Sequence, residues 1–315
     1  MPVKYPKQPR TNYECVKVET DREGITWVTF NRPEKRNAMN PTLHAEMAQI
    51  MDEHETHPDT KVIVLTGAGN SWSAGMDLKE YFRDTDGDAQ AQFRSYTDNR
   101  RWSWDALVRG RKPVIAMVNG YCFGGAFIPL CNADFAIAAD DAVFGLSEIN
   151  WGIVPGGVVS KVLVDTLRIR DAMYYATTGR PFNGKKAAEM GLVTMSVPAK
   201  KLRAETVALA RELMSKSPMV LAYTKQAIRQ VRTMDMEQAY DYLLAKITAL
   251  EAKDPERTRE RGMREFLDKK TFKPGLGAVA RPGAKAGKPA KAAKPGKAAG
   301  KKAEGKSGKK AGKKK

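Results

Sequence analysis

The chain has 315 residues, 42% of them hydrophobic, and a formal net charge of +18. Residues 281–315 hold thirteen lysines, one arginine and one glutamate, so the rest of the chain is only mildly basic, at +5. The length supports a sizeable core in one or two domains, while three widely spaced cysteines (Cys15, Cys122, Cys131) exclude a disulfide framework or a zinc-finger spacing. No apolar run is long enough to span a bilayer, and the first ten residues lack the apolar segment of a signal peptide. A soluble, cytoplasmic protein is expected.

Residues 1–12 read as an N-terminal extension. Strands are predicted at 16–19 and 25–30, around the turn Asp21-Arg22-Glu23-Gly24. Pro41 opens a helix with Asn40 as its N-cap. Further strands are predicted at 61–66, 114–118, 135–138 and 193–197, with helical patterns between them. That alternation indicates an α/β fold over 13–200. Residues 83–112 are polar, with Trp102 and Trp104 as packing anchors of a surface helix in one reading. From about 201 to 277 the chain turns helical, at 202–215, 219–231, 237–250 and 256–267. Residues 278–315 are almost wholly Lys, Ala, Gly and Pro; they cannot bury a core and are expected to be disordered. Such a tail is either a solvated appendage or a salt-dependent, non-specific binder of nucleic acid or anionic surfaces.

Two stretches carry the chemistry. Asn119-Gly120-Tyr121-Cys122-Phe123-Gly124-Gly125-Ala126 leads from a strand through glycines into an apolar helix. Backbone N–H groups at such a junction are placed to polarise a carbonyl oxygen. Phe144-Gly145-Leu146-Ser147-Glu148-Ile149-Asn150-Trp151 holds one carboxylate among apolar neighbours, a setting that raises a carboxyl pKa and suits it to acid–base work. A donor cradle plus a lone glutamate points to enolate chemistry. The three histidines, His44, His54 and His57, fall in one early helix and its end, and read as surface groups. No metal site, serine–histidine triad, phosphate loop or full dinucleotide fingerprint is indicated.

Together with Asn31-Arg32-Pro33-Glu34-Lys35-Arg36-Asn37-Ala38 and Ser73-Ala74-Gly75-Met76-Asp77-Leu78, these stretches resemble the crotonase (enoyl-CoA hydratase/isomerase) superfamily over roughly residues 13–277. Within it the chain is most similar to the hydroxycinnamoyl-CoA hydratase-lyases, through Ala74-Gly75-Met76-Asp77-Leu78-Lys79-Glu80-Tyr81-Phe82-Arg83 and Ser147-Glu148-Ile149-Asn150-Trp151-Gly152. The resemblance implies a spiral of β-β-α units and a C-terminal helical segment that packs trimers, often paired as dimers of trimers. It implies a mobile region near the acyl pocket within 83–112. It places the oxyanion donors at the backbone of Met76 and Gly125, the proton-handling carboxylate at Glu148, and CoA along Lys35, Arg36, Ala38, Ala74, Gly75, Asp77 and Leu78. Tyr81, Ile128, Ser147, Trp151, Tyr240 and Leu244 fall at substrate-contacting positions.

Two of those positions depart from the pattern. Ordinary hydratases carry a second glutamate where this chain has Ile128. The hydratase-lyases carry a second phenol-binding tyrosine where it has Leu244, with Tyr240 one turn away on the same helix face. The implied reaction is hydration and retro-aldol cleavage of a 4-hydroxycinnamoyl-CoA, with no cofactor beyond the CoA of the substrate itself. The alternatives are another acyl-CoA hydratase or isomerase using one glutamate, and a nucleic-acid binder acting through the basic tail.

Overall fold

The computed structural model describes residues 12–271; the readings made for 1–11 and for the stretch from 278 lie outside them. Ten strands are described: β1 (Val16–Thr20), β2 (Ile25–Phe30), β3 (Val62–Gly67), β4 (Ser71–Ser73), β5 (Val114–Val118), β6 (Tyr121–Phe123), β7 (Phe135–Ala139), β8 (Val143–Gly145), β9 (Phe182–Asn183) and β10 (Met195–Val197). One sheet has the order β1-β2-β3-β5-β7-β10 and is parallel except for the β1–β2 hairpin. All of β3 and β5 is buried, as expected for parallel strands covered on both faces. Asp21 sets the hairpin turn by accepting from the backbone N–H groups of Glu23, Gly24 and Ile25.

A second, smaller sheet runs β4-β6-β8-β9. Each of its first three strands follows directly on β3, β5 or β7, so the two sheets are built from repeated β-β units separated by helices. The sequence reading ran β6 into a glycine turn and assigned no strand to β4, β8 or β9. Three-residue strands show no alternation, and β4 buries two serines around Trp72, whose indole donates to the Leu65 carbonyl at 3.2 Å.

The helices are α1 (Pro41–Thr56), α2 (Ala89–Arg100), α3 (Leu107–Arg109), α4 (Phe127–Asn132), α5 (Val159–Thr166), α6 (Ile169–Thr178), α7 (Gly184–Glu189), α8 (Ala199–Met214), α9 (Pro218–Val231), α10 (Met236–Lys253) and α11 (Thr258–Met263). Asn40 caps α1 by accepting from the Leu43 N–H, with Pro41 behind it. A π-helical segment, Arg101–Ala106, joins α2 to α3, so residues 89–109 form one helical run over the core. Its Trp102 is fully buried, whereas Trp104 is half-buried beside the cavity described below.

His44 and His54 are buried, which corrects their reading as surface groups. They lie with Met47 and Met51 on the inward stripe of α1, at helical spacing. The Trp102 indole donates to His44 Nδ1 at 2.9 Å, and His54 Nδ1 pairs with the Thr60 hydroxyl at 2.8 Å. Burial pushes the two imidazoles down to about 3 and about 4, from 6.5. Between those values and 6.5 the unfolded chain binds more protons than the folded one, so stability rises with pH through that window. Their contribution is complete above 6.5 and declines as the pH falls. A lower urea midpoint at pH 5 than at pH 7 is expected, with a smaller difference in a His44→Gln protein; an identical difference would remove His44 from the effect.

Candidate active site

Where β4 ends, the chain passes Gly75 and Met76 alongside Met39. The Met39 N–H donates to the Gly75 carbonyl at 2.8 Å, and the Asp77 N–H donates to the Met39 carbonyl at 2.9 Å. The Gly75–Met76 peptide is trans, so a Gly75 carbonyl facing Met39 turns the Met76 N–H to the opposite side. The same logic operates after β6. There the Gly124 carbonyl accepts from the Phe127 N–H to close a 3-10 turn, Gly124–Ala126. The Gly125 N–H, across that trans peptide, is left pointing out of the helix start.

The two peptides are close neighbours. A Cβ added to Gly75 would lie 3.1 Å from the Gly125 nitrogen and 2.5 Å from the Phe123 carbonyl oxygen. Gly75, at φ +90°, and Gly124, at φ +52°, adopt left-handed backbone that brings these donors together.

Glu148 begins a 3-10 turn after β8, with Ser147 at its cap position. A Cβ on Gly124 would meet Glu148 Oε1 at 3.4 Å, so the carboxylate stands directly beside the paired N–H groups. Its Oε2 is buried and has no hydrogen-bond partner among the described residues. Burial holds the Glu148 pKa above the usual carboxylate value. A carboxyl in such a setting can take and return a proton, and two N–H groups beside it can stabilise negative charge developing on an oxygen.

A cavity of about 980 Å³ contains these groups. Lys35, Arg36, Ala38, Ala74, Met76, Asp77 and Leu78 line it, as do Gly125, Ile128, Ser147, Glu148 and Trp151. Gly75 stands behind this wall. The Asp77 carboxylate is committed elsewhere: it caps the π-helical turn Leu78–Arg83 through the N–H groups of Lys79 and Glu80, and pairs with Arg32 at 2.9 Å. That network holds its pKa below the ordinary value, even though burial opposes ionisation. Asp77 therefore shapes the wall and offers no free charge to a ligand.

Tyr81 is 6% exposed and lines the cavity with its ring against His44 at 5.3 Å, Phe82 at 5.0 Å and Tyr96 at 5.7 Å. Burial raises its pKa to about 12. Tyr240 and Leu244 are not brought to this cavity. Both lie on α10, which buries none of its own residues, and they are 67% and 53% exposed.

The structure adds lining residues that sequence reasoning did not single out, among them Tyr96, Asn99 and Ser103, and it brings Trp104 to the cavity as well. Tyr96, Asn99 and Ser103 follow one another at steps of three and four residues, a helical signal masked by the polarity of the run's outer face.

The Enoyl-CoA hydratase/isomerase family model matches residues 20–274. The chain belongs to that family. It is 52% identical over 270 residues to hydroxycinnamoyl-CoA hydratase-lyase of Pseudomonas fluorescens, covering 85% of this chain and 98% of that protein. It is 34% identical to carnitinyl-CoA dehydratase of Shigella flexneri, over 71% of this chain and 84% of the other. Among solved structures, enoyl-CoA hydratase from Bacillus anthracis superposes with a TM-score of 0.74 at 26% identity, over 81% of this chain and 97% of that one.

Proposed function

We propose that this chain hydrates and cleaves 4-hydroxycinnamoyl-CoA thioesters, such as feruloyl- and p-coumaroyl-CoA, to a hydroxybenzaldehyde and acetyl-CoA. The observation that carries the reading is the Glu148 carboxyl, with its buried Oε2 unpartnered among the described residues, beside the two freed N–H groups of Met76 and Gly125. The 52% identity to a hydroxycinnamoyl-CoA hydratase-lyase supports the substrate class.

The thioester oxygen accepts from Met76 and Gly125, drawing electrons from the conjugated acyl group. Glu148 takes a proton from water as the oxygen adds to the β-carbon, and returns it to the α-carbon of the resulting enolate. Glu148 next removes the β-hydroxyl proton; the α–β bond breaks, the aldehyde leaves, and the acetyl-CoA enolate is protonated. One water is consumed and no net oxidation occurs. The thioester itself stores the charge, so the reading calls for no cofactor beyond the CoA the substrate carries.

Lys35 and Arg36 supply positive charge for CoA phosphates, Trp151 walls the aromatic part, and Tyr81 meets the ring hydroxyl. The exposed apolar side chains of α10, including Met236, Tyr240, Leu244 and Ile247, support a homo-oligomer, a trimer or a pair of trimers. No described helix is long and apolar enough to cross a membrane.

A second reading, hydration or isomerisation without cleavage, is favoured by Ile128, which lines the cavity, is 3% exposed and cannot transfer a proton. Purified protein mixed with feruloyl-CoA decides between them. Aldehyde with stoichiometric acetyl-CoA is expected; a hydrated ester that persists would select the second reading.

A further inference from the structure

The helix α4 is held at its far end by groups that the reaction above does not use. With the 3-10 turn before it, the helical run covers 124–132, and its start brings the Gly125 N–H and Ile128 to the cavity. Pro129 has no N–H to return to the Gly125 carbonyl, so the run is short of internal bonds and depends on what grips its ends. At its far end Asn132 and Ala133 are 6% and 8% exposed. Their carbonyls both accept from one atom, Arg229 Nη2 of α9, at 2.7 and 3.0 Å. These are carbonyls that a helix end leaves without an internal donor. Arg229 is fixed in turn. It pairs with Asp134 Oδ1 at 3.3 Å, while Lys225, one turn earlier on the same face of α9, pairs with Asp134 Oδ2 at 2.8 Å. Asp134 Oδ2 also accepts from the Val114 N–H at 2.9 Å, at the start of the interior strand β5. The end of α4 is thereby indexed to the large sheet.

We infer that Arg229, which does not line the cavity, is a positioning residue for the oxyanion donors. By holding the Asn132 and Ala133 carbonyls it fixes where α4 stands along its axis, and so where the Gly125 N–H meets the thioester oxygen beside Met76. The buried apolar side chains of α4 resist separation from the core, but apolar contact is non-directional. Directed bonds at the helix end set its position to a fraction of an ångström. This deepens the reading of Met76 and Gly125 as the oxygen's donors and rests on it.

The test reads the bound ester directly. In a Glu148→Gln background p-coumaroyl-CoA stays unreacted. Hydrogen bonds to its thioester oxygen draw charge along the conjugated chain and move its absorption to longer wavelength. Adding Arg229→Met is expected to reduce that red shift by about half, because the Gly125 donor is displaced from the oxygen. In the otherwise wild-type protein the same change should lower kcat about tenfold, less than the about 10²–10³-fold of losing a donor outright, with KM within about twofold. Lys225→Met breaks an ion pair with the same Asp134 but frees neither carbonyl, so it should lower Tm and keep the red shift. Arg229→Lys, without the planar fork, should give an intermediate red shift, and it carries the test if Arg229→Met does not fold. A full red shift in a folded Arg229 variant, or the same loss in Lys225→Met, would mean a purely structural role and overturn the inference. If the Glu148→Gln protein fails to bind the ester, or binds it with no red shift, the reading of Met76 and Gly125 as donors itself fails.

Discussion

Glu148→Gln is expected to lower kcat on a 4-hydroxycinnamoyl-CoA by about 10²–10⁴-fold, the usual range for losing a positioned acid–base group, while ester binding stays close to wild type. The side chain keeps its shape, and its buried Oε2 position has no protein partner to lose. Only the capacity to carry a proton goes. Because burial raises the Glu148 pKa, the acid limb of the wild-type kcat/KM profile should lie above the ordinary carboxyl value of 4.5. The ionised base is then the form lost as the pH falls. Single-turnover rates and equilibrium binding of the same ester separate the two effects. Wild-type turnover in the variant would remove Glu148 from the mechanism.

Gly125→Ala should rank next. An added Cβ would stand 2.8 Å from Met76 Cε and 2.9 Å from Met76 Cγ. Those are atoms of a flexible side chain, so the chain should still fold with Met76 pushed aside. The cost falls on the alignment of two N–H donors with one oxygen, and a loss of about 10²–10³-fold in kcat is expected. Gly75→Ala makes the contrast. Its Cβ would meet the Phe123 carbonyl oxygen at 2.5 Å with φ at +90°, a collision of backbone with backbone. That variant should lose thermal stability as well as activity. Full turnover in Gly125→Ala would show that the oxygen is held elsewhere.

The long strands and the capped start of α1 were legible because each has a local signature: buried apolar runs, a turn aspartate, and Asn40 ahead of Pro41. The C-terminal helices were legible for the same reason, through their periodicity. The second sheet was not, because strands of two or three residues have no period and are made by pairing across the fold. The histidines misled because polarity was taken as exposure; the stripe His44, Met47, Met51, His54 shows that α1 turns them inward. Glu148 and the glycine junction could be singled out as sequence, yet the freeing of two N–H groups depends on Met39 and Phe127 occupying the opposite carbonyls, which only the folded backbone reveals. Asn99 and Ser103 sat unnoticed in a stretch whose overall polarity hid the helical spacing that brings them to one face.

Arg32 has a mechanical consequence. Its guanidinium joins the Ala38 carbonyl, Asp77 and Glu80, Glu80 continues to Asn40, and Asn37 grips the carbonyls of Ala68 and Ser71. The basic turn, the Met76 peptide and the base of the Tyr81 segment are thereby riveted into one frame. On the facing wall, the hydrogen bonds described for residues 148–158 stay within a few residues of one another. Any widening that admits a bulky acyl group is therefore expected on the Trp151 side, while the Met76 peptide and the basic turn keep their spacing.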